Sequence, residues 1–218
     1  MTRIDPLDPH AAGPLVKLLL RLSRRKVASL AGSEPDGMLG PIEAYARLPR
    51  LLIGYGAFEE ATARLHGVPE RLKMLAEMKA ATISTCSYCI DIGSQIARRT
   101  GLTDEELLAL PRHRDSTLFD ELDKLVLDYA AGMSRTPVDV PDELVRALRR
   151  SLDDTQLVEL TNVIALENMR GRFNLALGYE SVGFSEGMVC ATPESSVDRE
   201  APPTGGAITE GVGTPSAA

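Results

Sequence analysis

Apolar side chains return every three or four residues along nearly the whole chain, and no stretch alternates Val, Ile, Thr or aromatic residues strictly with polar ones. A chain with that period hides its apolar surface by packing helix on helix, so the fold class is all-α. Breakers divide the pattern. Met1 to Gly13 carries Pro6 and Pro9 and reads as an irregular arm, and Pro14 opens a basic amphipathic segment, Leu15 to Leu30, with Arg21, Arg24, Arg25 and Lys26. Such a segment can lie on a membrane surface, but a solvated basic face on a helix docked to the body or to a neighbouring subunit is the favoured reading. Gly32 to Pro41 has linker composition.

Beyond it the spacing predicts short helices through Tyr45, then Pro49 to His66, stopped by Gly67 and Pro69, and Glu70 to about Ile83. Thr103 with Glu106 forms a capping box after the Gly101 stop. Helices are expected over Thr117 to Met133 and Pro141 to Ser151. Asp153 with Gln156 then opens a long helix to about Tyr179. From Ala191 onward Pro, Gly, Ser and Thr dominate, a composition that buries too little to offset chain entropy, so residues 191–218 are expected to be disordered.

With 218 residues and 44% hydrophobic content, the chain can enclose one sizeable core. Its net charge of -7 argues against a nucleic-acid backbone as partner, and the lack of Trp with 4% aromatics argues against stacking platforms. No apolar run approaches the roughly 18 residues of a membrane span, and the first residues lack the order of a signal peptide, so a cytoplasmic protein without stable membrane insertion is expected. Three cysteines with one close pair make a poor disulfide framework and, in a reducing compartment, point to redox or metal chemistry.

That pair is Cys86-Ser87-Tyr88-Cys89. If Ser84 or Thr85 caps the following helix, Cys86 falls in its first turn and Cys89 one turn later on the same face. Backbone amides at a helix start favour a thiolate, and the pair can close a disulfide from which Cys190 is excluded. Two small buried core residues are the alternative. Zinc needs about four ligands, and Cys190, His10, His66 and His113 have no ligand-like spacing, so no metal is expected. The segment before Cys86, LKMLAEMKAATIST, reads as helix, which excludes the strand-turn-helix setting of a thioredoxin motif.

The stretch EMKAATISTCSYCIDIGSQIARRTGLTDEELLAL resembles the carboxymuconolactone decarboxylase-like family, and within it the alkylhydroperoxidase D (AhpD) branch. VDVPDELVRALRRSLDDTQLVELTNVIALENMRGRFNLALG is similar to that family's last two core helices, the Arg172-Phe173-Asn174 stretch included. The likeness spans roughly Pro41 to Phe184. It implies an AhpD-like multi-helix bundle over 41–190, flanked by the arm and basic helix of 1–40 and the tail of 191–218. It also implies a homo-oligomer without organic cofactor, in which the pair reduces a small-molecule hydroperoxide and is regenerated by a lipoyl- or thioredoxin-like dithiol electron donor. In that branch the second cysteine attacks and the first resolves, which implies Cys89 as peroxidatic and Cys86 as resolving; the helix-start field instead favours Cys86 as the more acidic thiol. Gly93 stands where the family has its relay histidine, and Met74 where it has its glutamate.

Other carboxylates are therefore the candidate bases. Asp91 lies about 200° around the helix from Cys89 and reads as a solvated or capping group. Glu77 shares nearly the face of Met74 and can reach the thiols, or can pair with Lys73 at the surface. Glu167 centres a face of Leu160, Val163, Ile164, Gly171, Asn174 and Gly178, which predicts a buried carboxyl that is either a proton-transfer group of raised pKa or the partner of Arg170 or Arg172. Tyr88 reads as packing and His66 as decoration of a helix end. The expected function is a thiol-dependent oxidoreductase of the alkylhydroperoxidase type. A carboxymuconolactone-type decarboxylase and a non-catalytic helical oligomer remain as alternatives.

Overall fold

The computed structural model describes residues 2–8, 12–32 and 40–194. Among these there is no strand, and the elements are helices α1 (Pro14–Ala31), α2 (Pro41–Ala46), α3 (Pro49–Ala63), α4 (Glu70–Ser84), α5 (Ser87–Arg99), α6 (Asp104–Ala109), α7 (Glu121–Ser134), α8 (Asp142–Leu148) and α9 (Asp154–Leu177), with a 3-10 turn at Leu110–Arg112 after α6. Prolines occupy the first position of α1, α2 and α3, where a missing N–H costs nothing. Both expected capping boxes form: Thr103 with Glu106 at α6, and Asp153 with Gln156 at α9. Helices α7 and α8 start later than the apolar pattern suggests, because Asp120 caps α7 and Pro141 precedes α8.

Helix α4 is the axis of the bundle. Leu72 to Thr82 are buried on every side except at Glu77, and α4 packs against α5, α7 and α9. Two lysines are buried in it. Lys73 Nζ donates to Leu65 O at 2.7 Å and pairs with Glu70 and Glu159, at 2.9 and 3.5 Å. Lys79 Nζ donates to Leu110 O at 3.0 Å, lies 3.2 Å from His113 Nδ1 and pairs with Glu194. A buried ammonium without such partners would be prohibitive.

Helix α1 docks on α2 and α5 by Val16, Val27 and Ala31, while its basic residues face outward and Lys26 pairs with Glu60 at 2.5 Å. Of the expected linker, residues 33–39 lie outside the described residues, as does His10. The packed body continues past 190: Ala191 is buried, its N–H donating to Ser94 Oγ at 3.1 Å, and the expected disorder of 195–218 falls outside the described residues. No described helix is long and apolar enough to cross a membrane.

Asp91 is neither solvated nor a helix cap. It is buried, its Oδ2 accepting from the backbone N–H of Val182, Gly183 and Phe184 at 2.8–3.0 Å and from Ser181 Oγ, and its Oδ1 from Ser185 N at 2.7 Å. One carboxylate thus supplies the turn after α9 with acceptors that no regular element provides. Replacing Asp91 by Ala strands these donors. Urea unfolding is expected to show a loss of about 3 kcal/mol, with the turn at 181–185 the first segment to lose hydrogen-exchange protection.

Candidate active site

Thr85 takes the left-handed conformation (φ 57°) and turns the chain from α4 into α5 within one residue. The cap of α5 is consequently not Ser84 or Thr85 but Cys86 itself, whose Sγ accepts from Cys89 N–H at 3.2 Å. Cys86 and Cys89 are joined as a disulfide, and Cys190 is free and half-buried elsewhere. Of the two bonded cysteines Cys86 is fully buried, whereas Cys89 forms part of the wall of a cavity of about 620 Å³.

Six helices enclose that cavity: α1, α2, α3, α4, α5 and α9. Its walls are largely apolar, with Leu22 from α1, Ile53 from α3, Met74 from α4, Ile92 from α5 and Val163 from α9. Tyr45 is stacked between Tyr55 and Phe173, each ring pair 4.4 Å apart, and all three rings line it.

Near the dithiol, α9 approaches closely because residue 171 is glycine. A Cβ there would sit 2.8 Å from Ser84 Oγ and 3.8 Å from Cys86 Cβ. One turn further on, buried Asn174 directs its Nδ2 at both sulfurs, 3.6 Å from Cys86 Sγ and 3.4 Å from Cys89 Sγ. A side-chain amide so placed can stabilise a thiolate on either cysteine without a positive charge.

Glu77 and Glu167 both line this cavity, and Arg170 joins them to Glu59 of α3. The guanidinium donates to Glu59 through Nε (2.9 Å) and Nη2 (2.5 Å) and to Glu167 Oε2 through Nη1 (3.0 Å), and lies 3.6 Å from Glu77. Arg172 instead contacts Asn168 and Thr136, and Lys73 turns to Glu159, so neither of those suggested partners is used. Burial raises the pKa of Glu77 and pushes that of Glu167 up to about 7, with Arg170 opposing both shifts. At Glu59 burial acts in the same direction, but the bidentate guanidinium, the Tyr55 hydroxyl and Lys26 together outweigh it and hold the carboxyl below its ordinary range. Among the described residues Glu167 Oε1 has no hydrogen-bond partner. The structure therefore joins both pairing and a raised pKa in Glu167, two outcomes the sequence presents as alternatives.

The space at Gly93 is not vacant. A Cβ there would lie 2.7 Å from Sδ of Met78, which is buried, so a side chain at 93, beside the cavity, requires Met78 to shift. His66 is exposed, and His113 is buried away from the cavity against Lys79 and Asp128. Among the described residues no group of three or more His, Cys, Asp or Glu is placed to hold a metal ion.

Residues 49–131 match the model of the carboxymuconolactone decarboxylase family. The uncharacterized protein YnjA of Escherichia coli (strain K12) is 34% identical over 186 residues, covering 83% of this chain and 96% of YnjA. The chain belongs to the carboxymuconolactone decarboxylase family. YdfG of Bacillus subtilis (strain 168) is 27% identical over 105 residues, or 48% of this chain and 71% of YdfG. Among solved structures, the debrominase Bmp8 shares the fold with a TM-score of 0.70 at 22% identity, covering 91% of this chain and 97% of Bmp8. A peroxidase-related protein from Silicibacter sp. TM1040 does so with a TM-score of 0.65 at 19% identity, over 81% and 90% of the two chains. The matched segment of this family member runs from α3 to α7, so Cys86, Cys89 and Glu77 fall inside it, and Glu167, Arg170, Asn174 and all of α1 outside.

Asn174 and Glu59 are site residues that the sequence reading passed over, although the place of Asn174 on the Glu167 face was visible. The Met78 contact generates a prediction. Introducing the family's histidine alone, as Gly93→His, overpacks the α4–α5 contact and is expected to cost about 1–3 kcal/mol in thermal unfolding. Adding Met78→Ala to Gly93→His frees the volume and recovers most of that loss.

Proposed function

We propose that the protein is a thiol-dependent oxidoreductase that reduces an organic hydroperoxide with the Cys86–Cys89 dithiol. The observation that carries this reading is the asymmetry of the pair: Cys89 faces the cavity, while Cys86 sits behind it at the start of α5. In the reduced protein Cys89 is the attacking sulfur. Its thiolate takes the terminal oxygen of R–O–O–H as the O–O bond breaks, giving a sulfenic acid on Cys89 and an alkoxide that a proton converts to R–OH. Cys86 then attacks the Cys89 sulfur, the S–O bond breaks, and water leaves with the remaining thiol proton. The disulfide that results is the state seen here, and an external dithiol returns it to the reduced form by exchange.

The opposing indications about the two cysteines then refer to different steps. The helix-start amide supports Cys86 as the leaving thiolate during re-reduction, and Asn174 supports either sulfur. Glu167 is the proposed proton carrier, with Glu77 its neighbour in the Arg170 cluster: a carboxyl at about 7 accepts the Cys89 proton and returns it to the alkoxide. A decarboxylase of the family's name needs no redox pair, and the disulfide here speaks for the dithiol reading. A homo-oligomer has a candidate surface in the exposed apolar residues of α1 and α3, such as Leu18, Leu51 and Phe58.

The aromatic stack along the cavity favours one second reading, in which the same dithiol removes a halogen from a flat aromatic ring, as the likeness to a debrominase suggests. There, ring–halogen plus two thiols would give ring–hydrogen, halide, a proton and the disulfide.

A dihydrolipoamide-dependent assay tests both readings, with hydroperoxide consumption and halide release as separate readouts. With hydroperoxide, Cys89→Ser is expected to be inactive, and Cys86→Ser to consume about one equivalent and stop at the sulfenic acid. A reactive Cys89→Ser beside an inert Cys86→Ser would reverse the assignment.

The pH profile gives a further expectation. Activity depends on ionised Glu167, so it rises as pH passes about 7. Glu167→Gln is expected to remove that limb and lower the rate by about a hundredfold, while Glu77→Gln shifts its midpoint downward by removing a neighbouring negative charge. An unchanged limb in Glu167→Gln would exclude it as the proton carrier.

A further inference from the structure

The cavity is far larger than hydrogen peroxide requires. At about 620 Å³ it falls within the range of sites that enclose whole organic molecules, and its walls offer chiefly apolar surface and the ring stack of Tyr45, Tyr55 and Phe173. Charge narrows the choice of occupant. Arg170 is committed to Glu59 and Glu167, Lys73 to Leu65 O, Glu70 and Glu159, and Lys26 at the mouth to Glu60. Among the described residues an anionic headgroup therefore meets no uncommitted cation and instead four carboxyl groups, Glu59, Glu70, Glu77 and Glu167. Against this stands one polar atom of the lining without a partner among the described residues, Glu167 Oε1, on a side chain more than nine-tenths buried; Oε1 is itself buried, so a ligand's donor meets it once the carboxyl turns toward the cavity.

We propose that the cavity binds an uncharged, largely aromatic organic molecule whose single hydrogen-bond donor, a phenolic O–H or heteroaromatic N–H, is received by Glu167 Oε1. This deepens the proposed function and rests on it only in taking Cys89 as the sulfur the bound molecule meets. The apolar body lies along the ring stack, and the donor supplies what Oε1 lacks. An unpaired buried acceptor is costly, so a ligand that pairs it is favoured over one of equal size that does not. Leu22 of α1 and Ile53 of α3 are half exposed and also line the cavity, which places its mouth between these two helices.

The test is calorimetric titration of the full-length oxidised protein at pH 8, where Glu167 is mostly ionised. Three probes share one ring system: 2-naphthol (neutral donor), 2-methoxynaphthalene (neutral, no donor) and 2-naphthoate (anion). The expected result is 2-naphthol binding about tenfold more tightly than either of the others. Glu167→Met removes the acceptor and should bring 2-naphthol and 2-methoxynaphthalene to the same affinity. Leu22→Trp and Ile53→Trp, with folding checked by circular dichroism, fill the mouth and should weaken all three by about tenfold.

Naphthoate binding as tightly as naphthol would overturn the charge argument. Equal affinity of the two neutral probes in the wild type would overturn the role of Oε1, and no saturable binding would overturn the proposal as a whole. Because binding is read without turnover, a protein that takes up 2-naphthol yet never reduces a substrate refutes the proposed function and leaves this inference standing. A protein that turns over hydroperoxide but ignores 2-naphthol does the reverse.

Discussion

Arg170 is shared by carboxylates from three helices, Glu59 of α3, Glu77 of α4 and Glu167 of α9, and this sharing governs both the packing and the chemistry of the inner cavity. Three carboxylates beside one guanidinium in a desolvated space cannot all ionise at low cost, so the cluster divides into unlike members. Glu59, gripped through two nitrogens, keeps its charge, while Glu77 and Glu167 hold protons more readily than carboxyls in water. A carboxyl whose pKa is raised to about 7 thus arises without any imidazole. The same ion pairs tie α3 to α4 and α9, where α3 otherwise buries only Leu52 among its large apolar residues.

The dithiol rests on a second convergence. Three features meet at the α4–α5 junction: the left-handed turn at Thr85, the start of α5 at Cys86, and the close approach of α9 allowed by Gly171. The first orients the pair, the second places an amide against Cys86, and the third brings the Asn174 amide over both sulfurs. A β-branched residue in the left-handed region is held there by its surroundings rather than by its own preference. The geometry of the pair is therefore a property of the packed bundle, not of four residues in isolation.

Much of this was legible in the chain before folding, for reasons of range. Helix boundaries at α4, α6 and α9 follow from local rules, since a capping box or a breaker acts within one turn. The burial of Glu167 followed from the apolar residues around it on both faces of α9. What stayed hidden depends on partners distant in sequence. Asp91 looked like a solvated group because the amides of 182–185 that it serves lie some ninety residues away. Gly93 looked like a missing functional group because Met78, which occupies its surroundings, belongs to the preceding helix. Asn174 was in view on the right face, but only the depth at which Gly171 lets α9 settle decides that its amide reaches sulfur. The cap of α5 was misplaced by one or two residues because a left-handed threonine has no simple sequence signature.

Helix α1 lies outside the segment that matches the family model, yet it forms one wall of the cavity facing Cys89. It is held by a few buried side chains and by surface ion pairs such as Lys26–Glu60, which contribute little individually. The wall that α1 supplies is thus separate in the chain from the α4–α5 junction and the Arg170 cluster. Substitutions in Leu19, Leu22 or Leu30 can reshape what is admitted without disturbing the α4–α5 junction or the Arg170 cluster.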